Sequence, residues 1–150
     1  MSDLVIRLAT VEDIPAIVAM LADDPLGAVR ETDAGSPGYK RAFEEISLDP
    51  QQKLVVGELA GEVVATMQLT FIPGMSRGGS RRALIEAVRV RGDQRGKGLG
   101  RGLIGWAIDE ARAAGCVVIQ LTSDRSRADA HRFYESLGFE ASHVGMKLVL

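Results

Sequence analysis

The chain has 150 residues, 46% hydrophobic and 25% charged, with 18 Lys and Arg against 20 Asp and Glu for a formal charge of −2. That is one domain's length with enough apolar side chain for a single core, which excludes a disordered tail, a collagen-like rod and a repeat of charged helices. No apolar run approaches the roughly 20 residues of a membrane span, Met1–Thr10 lacks a signal-peptide pattern, and the lone Cys116 makes neither an intrachain disulfide nor a zinc site. The sequence therefore reads as a cytoplasmic single domain covering residues 1–150.

Leu4 to Leu8 reads as a short strand, and Thr10 as the N-cap of a helix from about Val11 to Ala22, whose Ile14, Ile17, Val18 and Leu21 share one face. Asp23 to Gly38, rich in Pro, Gly and acids, reads as a connection to a second helix over Tyr39 to Leu48. Leu54–Leu59 and Glu62–Phe71 are β-rich runs around Ala60-Gly61, a hairpin signal. After a glycine-rich connection, a strand is expected over Arg82–Arg91, with Leu84, Glu86, Val88 and Val90 alternating onto one face. A helix from Gly98 or Leu99 to Ala114 stops at Gly115. Val117 to Leu121 is continuously apolar, which suggests a strand buried on both faces. A last helix over Ser126–Leu137 ends at Gly138-Phe139, and β structure is expected from Glu140 to Leu150. The order is that of an α/β fold with a mixed sheet.

Charge is unevenly placed. Arg77 to Arg101 holds eight basic residues against only Glu86 and Asp93, a local +6 in an otherwise acidic chain. Within it, Gln94-Arg95-Gly96-Lys97-Gly98-Leu99-Gly100-Arg101-Gly102 falls where a strand becomes a helix. Glycines let a ligand approach the backbone, a helix start offers unpaired N–H groups, and Arg95, Lys97 and Arg101 add charge; together these describe a phosphate or pyrophosphate cradle. The dinucleotide fingerprint fails because Leu103 stands three residues after Gly100, and the P-loop pattern fails because Gly98 replaces the hydroxyl after Lys97.

Arg95-x-x-Gly98-x-Gly100 matches the Q/R-x-x-G-x-G/A signature of the GCN5-related N-acetyltransferases, and the chain resembles that superfamily along nearly its whole length, down to Ala130-x-x-x-Tyr134-x-x-x-Gly138-Phe139. The resemblance implies a mixed, largely antiparallel central sheet flanked by helices. It implies acetyl-CoA as acyl donor, its pyrophosphate on the amides of Arg95, Gly96, Lys97, Gly98, Leu99, Gly100 and Arg101. The pantetheine arm would pair with Val88, Arg89 and Val90, in a notch where that strand splays from the next. Transfer to a primary amine, of a small molecule or a peptide, would be direct. An amine of pKa about 10.4 is neutral in only about one molecule in 10³ at pH 7, so a general base is wanted. Glu86, placed on one face with Val88 and Val90, is the candidate, and a backbone N–H near Val88 would stabilise the oxyanion. A salt bridge from Glu86 to the surrounding arginines is the structural alternative.

Tyr134 is the residue the resemblance offers as acid toward the departing thiolate. A phenol is less acidic than a thiol by roughly 1.5 pKa units, so a hydrogen bond to the thiolate is the better role, with core packing between Ala130 and Leu137 as the alternative. Where many relatives carry Asn, seven residues before the tyrosine, this chain has Arg127, which would meet a phosphate or stand exposed. His131 and His143 lack a ligand cluster, so no metal is expected. The acceptor site would be shaped by Asp23–Tyr39, where Asp23, Asp24, Glu31 and Asp33 suggest a cationic amine, solvated loop acids being the alternative. Homodimerisation is common in the superfamily and is expected here through edge strands near the C-terminus. Two other readings remain: a CoA-binding regulator without turnover, and a nucleic-acid-binding module, against which stands the absence of aromatics between Phe71 and Trp106.

Overall fold

The computed structural model describes residues 3–150. It contains five strands and six helices, in the order β1 (Val5–Leu8), α1 (Ile14–Ala22), α2 (Pro25–Arg30), α3 (Pro37–Leu48), β2 (Gln52–Leu59), β3 (Glu62–Pro73), α4 (Ser76–Gly79, a helical turn), β4 (Arg81–Val90), α5 (Leu99–Ala113), β5 (Cys116–Leu121) and α6 (Ala128–Ser136). Two compact units divide the chain, Met1–Gln120 and Leu121–Leu150.

The first unit is built on a sheet of order β1-β2-β3-β4-β5, antiparallel from β1 to β4 and made mixed by the β4–α5–β5 crossover. Ala60 and Gly61, at φ 52° and 82°, form the tight β2–β3 turn that a two-residue hairpin requires. Lys53, register partner of Leu69, binds Glu110 at 2.6 Å and stands over the Trp106 ring. Helix α5 therefore covers the sheet face of Val55, Ala65, Met67, Leu69, Phe71, Ala83 and Ile85, and buries Leu99, Leu103, Ile104 and Ala107. This interleaved layer is the core. On the reverse face, Val56, Val64 and Thr66 are buried, while Gln52, Gln68, Thr70 and Leu84 further along are only half-buried.

Several sequence expectations need correction. The Asp23–Gly38 connection contains α2: Asp24 accepts from the Gly27 N–H at 2.6 Å and Pro25 opens the helix, an N-cap and N1 pair that the sequence carries openly. Strand β5 is not buried on both faces, since Val117 is 62% and Val118 36% exposed. It is the last strand of the sheet, with β4 as its one neighbour there. Glu140 to Leu150 forms no strand. A strand needs a neighbour for its backbone groups, and the second unit (α6 and its flanking segments) contains no other. That unit is closed by the Phe139 and Gly138 N–H groups donating to the carbonyls of Tyr134 and Glu135, with Gly138 at φ 96°.

Where the chain turns from β1 toward α1, Arg7 donates to both carboxylate oxygens of Asp13 at 2.7 and 3.0 Å and to Glu58 at 2.7 Å. Asp13, 7% exposed, also accepts from the Thr10 N–H. The Arg7 hydrogen bonds hold the Asp13 carboxyl below its ordinary pKa. A depressed carboxyl contributes stability that is present above the unfolded-state pKa near 4 and is lost as pH falls through the folded-state value. Asp13→Ala should cost about 2 kcal/mol at pH 7. In urea titrations the gap between wild type and variant should narrow as pH is lowered from 7 to below 4; an undiminished gap would remove Asp13 from that role.

Candidate functional site

Strand β4 carries an irregularity on which the site depends. Its register with β3 runs Arg82–Ile72, Leu84–Thr70, Ile85–Leu69 and Glu86–Gln68, then slips to Arg89–Thr66 and Val90–Ala65. Two residues, Ala87 and Val88, oppose Met67 alone, and Ala87 sits at φ 53°. This is a β-bulge with a non-glycine residue in the left-handed region, a conformation that costs roughly 1–2 kcal/mol and bends the strand. The bulge overturns the alternation read from sequence. Glu86 shares its face with Arg89, Thr66 and Gln68, while Val90 falls on the opposite face with Ala65. Glu86 is exposed and makes no hydrogen bond or ion pair among the described residues, so the alternative of a salt bridge to neighbouring arginines is not what the structure contains. Arg89 Nη1 donates to the Val88 carbonyl at 2.9 Å.

Beyond β4, a 3-10 turn over Gly92–Gln94 leads into the glycine segment. Gly96 and Gly98 lie at φ 78° and 80°, and no protein atom stands within 4 Å of where a Cβ would project from either. Gly98 is the left-handed N-cap of α5. Open ground therefore lies before the first-turn N–H groups of Leu99, Gly100 and Arg101, with the positive end of a 15-residue helix behind them. The geometry fits a pyrophosphate, and it fits mainly through backbone.

The cations of the +6 segment are largely engaged with their own chain. Arg81 binds the Ala114 carbonyl and Gln51; Arg91 binds Asp93 and, at 3.4 Å, Glu62; Lys97 reaches Gln94 at 3.1 Å. Arg89 pairs with Asp24 at 3.4 Å, and Arg95 with Asp23 at 3.4 Å and the Val90 carbonyl at 3.1 Å. Those last pairs bind the α1–α2 corner to the end of β4. The corner is itself tight, for a Cβ at Gly27 would fall 1.8 Å from the Leu21 carbonyl oxygen. Sequence reasoning missed this anchoring, although Asp24-Pro25 signals the corner. Two of the loop acids are engaged within the chain: Glu31 accepts from the Tyr39 hydroxyl at 2.8 Å and Asp33 from the Gly35 N–H at 2.8 Å.

Glu86, Val88, Arg89, Val90 and the Arg95–Arg101 segment all lie in the first unit, where Arg95 Nε donates to the Val90 carbonyl. Arg127 and Tyr134 belong to the second. Arg127 is the N-cap of α6, its N–H donating to the Asp124 carbonyl and its carbonyl accepting from the His131 N–H. Tyr134 is half-buried and packs edge-on against Phe133 and Phe139, at centroid distances of 5.2 and 5.8 Å. A groove of about 480 Å³ lined by Ala16, Ala19, Met20, Asp23, Val63 and Arg91 includes Asp23 but none of the proposed catalytic or cofactor-binding residues. Among the described residues no group of His, Cys, Asp and Glu is placed to hold a metal ion, and no helix is long and apolar enough to cross a membrane.

The bulged strand and the glycine-opened helix that follows it belong to a chain with known relatives. Residues 16–139 match the acetyltransferase (GNAT) family. The aminoalkylphosphonate N-acetyltransferase of Salmonella typhimurium is 29% identical over 92% of this chain and 86% of its own length. The L-methionine sulfoximine/L-methionine sulfone acetyltransferase of Pseudomonas aeruginosa is 32% identical over 95% of this chain and 86% of its own. The crystal structure of a transcriptional regulator from Bacillus halodurans superimposes with a TM-score of 0.94 at 47% identity, covering 98% of this chain and 99% of that one. The chain belongs to the GNAT acetyltransferase family, and its class is that of an acyltransferase.

Proposed function

We propose that the protein is an acetyl-CoA-dependent N-acetyltransferase that moves acetyl from the thioester directly to the primary amine of a small molecule. The observation that carries this reading is the succession of the Ala87 bulge and the Gly96–Gly98 cradle on adjoining segments of one unit. In it, Gly96, Gly98 and the N–H groups through Arg101 receive the pyrophosphate, and Lys97 and Arg101 add charge around it. Val88, Arg89 and Val90 offer strand backbone to the pantetheine arm. When bound, the thioester supplies the activated acyl group. Glu86 takes the ammonium proton, directly or through water, and the Val88 N–H meets charge developing on the carbonyl oxygen. Tyr134 hydrogen-bonds the leaving thiolate, and Arg127 meets a phosphate. The two enzymes named above act on aminoalkylphosphonates and on amino-acid derivatives, which supports a small amine over a peptide here. The reading includes a cytoplasmic location and a homodimer, the latter supported by exposed Val144, Met146, Leu148 and Val149 near the C-terminus.

Incubation with acetyl-CoA and a panel of small amines, followed by free-thiol release, tests the proposal. Amine-dependent release is expected; neither release nor a rise in melting temperature with acetyl-CoA would sink it. Tyr134→Phe should lower kcat about tenfold with KM for acetyl-CoA changed less than twofold. An unchanged kcat would leave Tyr134 to packing.

The likeness to a transcriptional regulator favours one second reading, a protein that binds acetyl-CoA as a signal. It predicts saturable binding with no thiol release from any amine.

A further inference from the structure

Arg82, Leu84 and Glu86 fall before the bulge, in the stretch where β4 is in unbroken register with Ile72, Thr70 and Gln68. The three therefore share one sheet face, the one turned away from α5. About 13 Å of strand separates the Cα atoms of Arg82 and Glu86. Between them stands Leu84, half-buried. Beside them lies a neutral polar floor in which Gln52 Oε1 accepts from Gln68 Nε2 and Thr70 Oγ1, both at 2.9 Å.

The charges on this stretch are unusual for the segment. Arg81, Arg89, Arg91 and Arg95 are each held by a carboxylate or a carbonyl of the chain. Arg82 is not: among the described residues neither the Arg82 nor the Glu86 side chain makes a hydrogen bond or ion pair. Arg82 Nη1 lies over the β3–β4 loop, 3.5 Å from where a Cβ at Gly74 would project, so the turn glycine leaves the guanidinium its room. A cation and an anion on one rigid strand, out of reach of each other and joined by an apolar residue and neutral amides, complement a ligand of reversed order: an amine, a short carbon chain and an oxyanion.

We propose that Arg82 reads the anionic end of the acceptor, and hence that the acceptor is a small primary amine carrying a carboxylate, phosphonate or phosphate. This rests on the proposed acetyl transfer with Glu86 at the amine. Leu84 would lie along the intervening methylenes, and the Gln52–Gln68–Thr70 floor would solvate the polar atoms without competing in charge. Planar and tetrahedral oxyanions share this chemistry, and matched acceptors separate them.

The experiment measures kcat and KM at saturating acetyl-CoA for charge-matched pairs: an amino acid against its amide, and 2-aminoethylphosphonate against its neutral diester. The anionic member of at least one pair should exceed its neutral match by about tenfold or more in kcat/KM, and which pair does so identifies the oxyanion. Arg82→Gln should raise KM for that acceptor at least about tenfold, keep kcat within about twofold and leave the neutral amine unchanged, with Arg82→Lys recovering part of the loss. Equal use of charged and neutral amines overturns the proposal while acetyl transfer stands. An equal effect of Arg82→Gln on both members of a pair, or none on either, overturns it also. Absence of thiol release with every amine overturns it together with the reading on which it rests.

Discussion

Gly98→Val should weaken acetyl-CoA binding by at least about 100-fold while the protein remains folded. Two separate effects act at this position. The residue sits at φ 80°, where an L side chain costs roughly 1–2 kcal/mol, so the melting temperature should fall by several degrees but the sheet should persist. A Cβ here would project into ground where no atom beyond the adjacent segment lies within 4 Å, so the side chain meets no other part of the fold first; what it occupies is the proposed approach to the α5 amides. Calorimetric titration with CoA separates the two effects, since loss of affinity far beyond the loss of stability indicates an occupied cradle. Lys97→Ala is the contrast: its Nζ is engaged with Gln94, and the change should be only a few-fold. Retained affinity in Gly98→Val would place the pyrophosphate elsewhere.

The glycine segment before α5 was the most legible stretch of the proposed site, because glycine announces its backbone geometry. Gly96 and Gly98 take the positive φ that glycine favours, and Gly115 and Gly138 end α5 and α6 as read. Ala60-Gly61 likewise marks its hairpin. The charge around the cradle was legible in amount but not in use. Whether Arg95 faces a ligand or Asp23 depends on the α1–α2 corner, some 70 residues earlier in the chain, and no local pattern encodes that meeting. The bulge was hidden for a related reason. Alanine carries no turn signal, and the slip at Ala87 follows from how β4 registers against β3, so strict alternation placed Glu86 and Val90 together where the structure separates them. The apolar run of β5 and the Glu140–Leu150 segment show the converse limit: hydrophobic pattern states a preference for burial, but a strand forms and is covered only where a partner element exists.

Glu86→Gln should lower kcat by about 10²–10³ at pH 7 with the affinity for acetyl-CoA unchanged. The substitution keeps size and removes only the proton-accepting charge. Because the side chain is exposed and makes no hydrogen bond or ion pair, the fold should lose almost nothing. The diagnostic is how the deficit varies with pH. At pH 7 an amine of pKa about 10 arrives protonated and depends on the base; at pH 9.5 a substantial fraction arrives neutral. The ratio of wild-type to variant rate should therefore shrink steadily as pH rises toward the amine's pKa, and shrink sooner for a less basic acceptor. A ratio independent of pH would mean that Glu86 positions the amine without taking its proton, and an unaffected kcat would remove it from the reaction. The bulge gives this result a structural reading. Glu86 is the last residue of β4 in regular register and the Val88 N–H lies just past the slip, so the extra residue at Ala87 sets the spacing between the proposed proton acceptor and the proposed oxyanion donor. A regular strand would place both side chains on one face, as the sequence first implied, and would leave β4 unbent at the point where the proposed reaction needs the two groups apart.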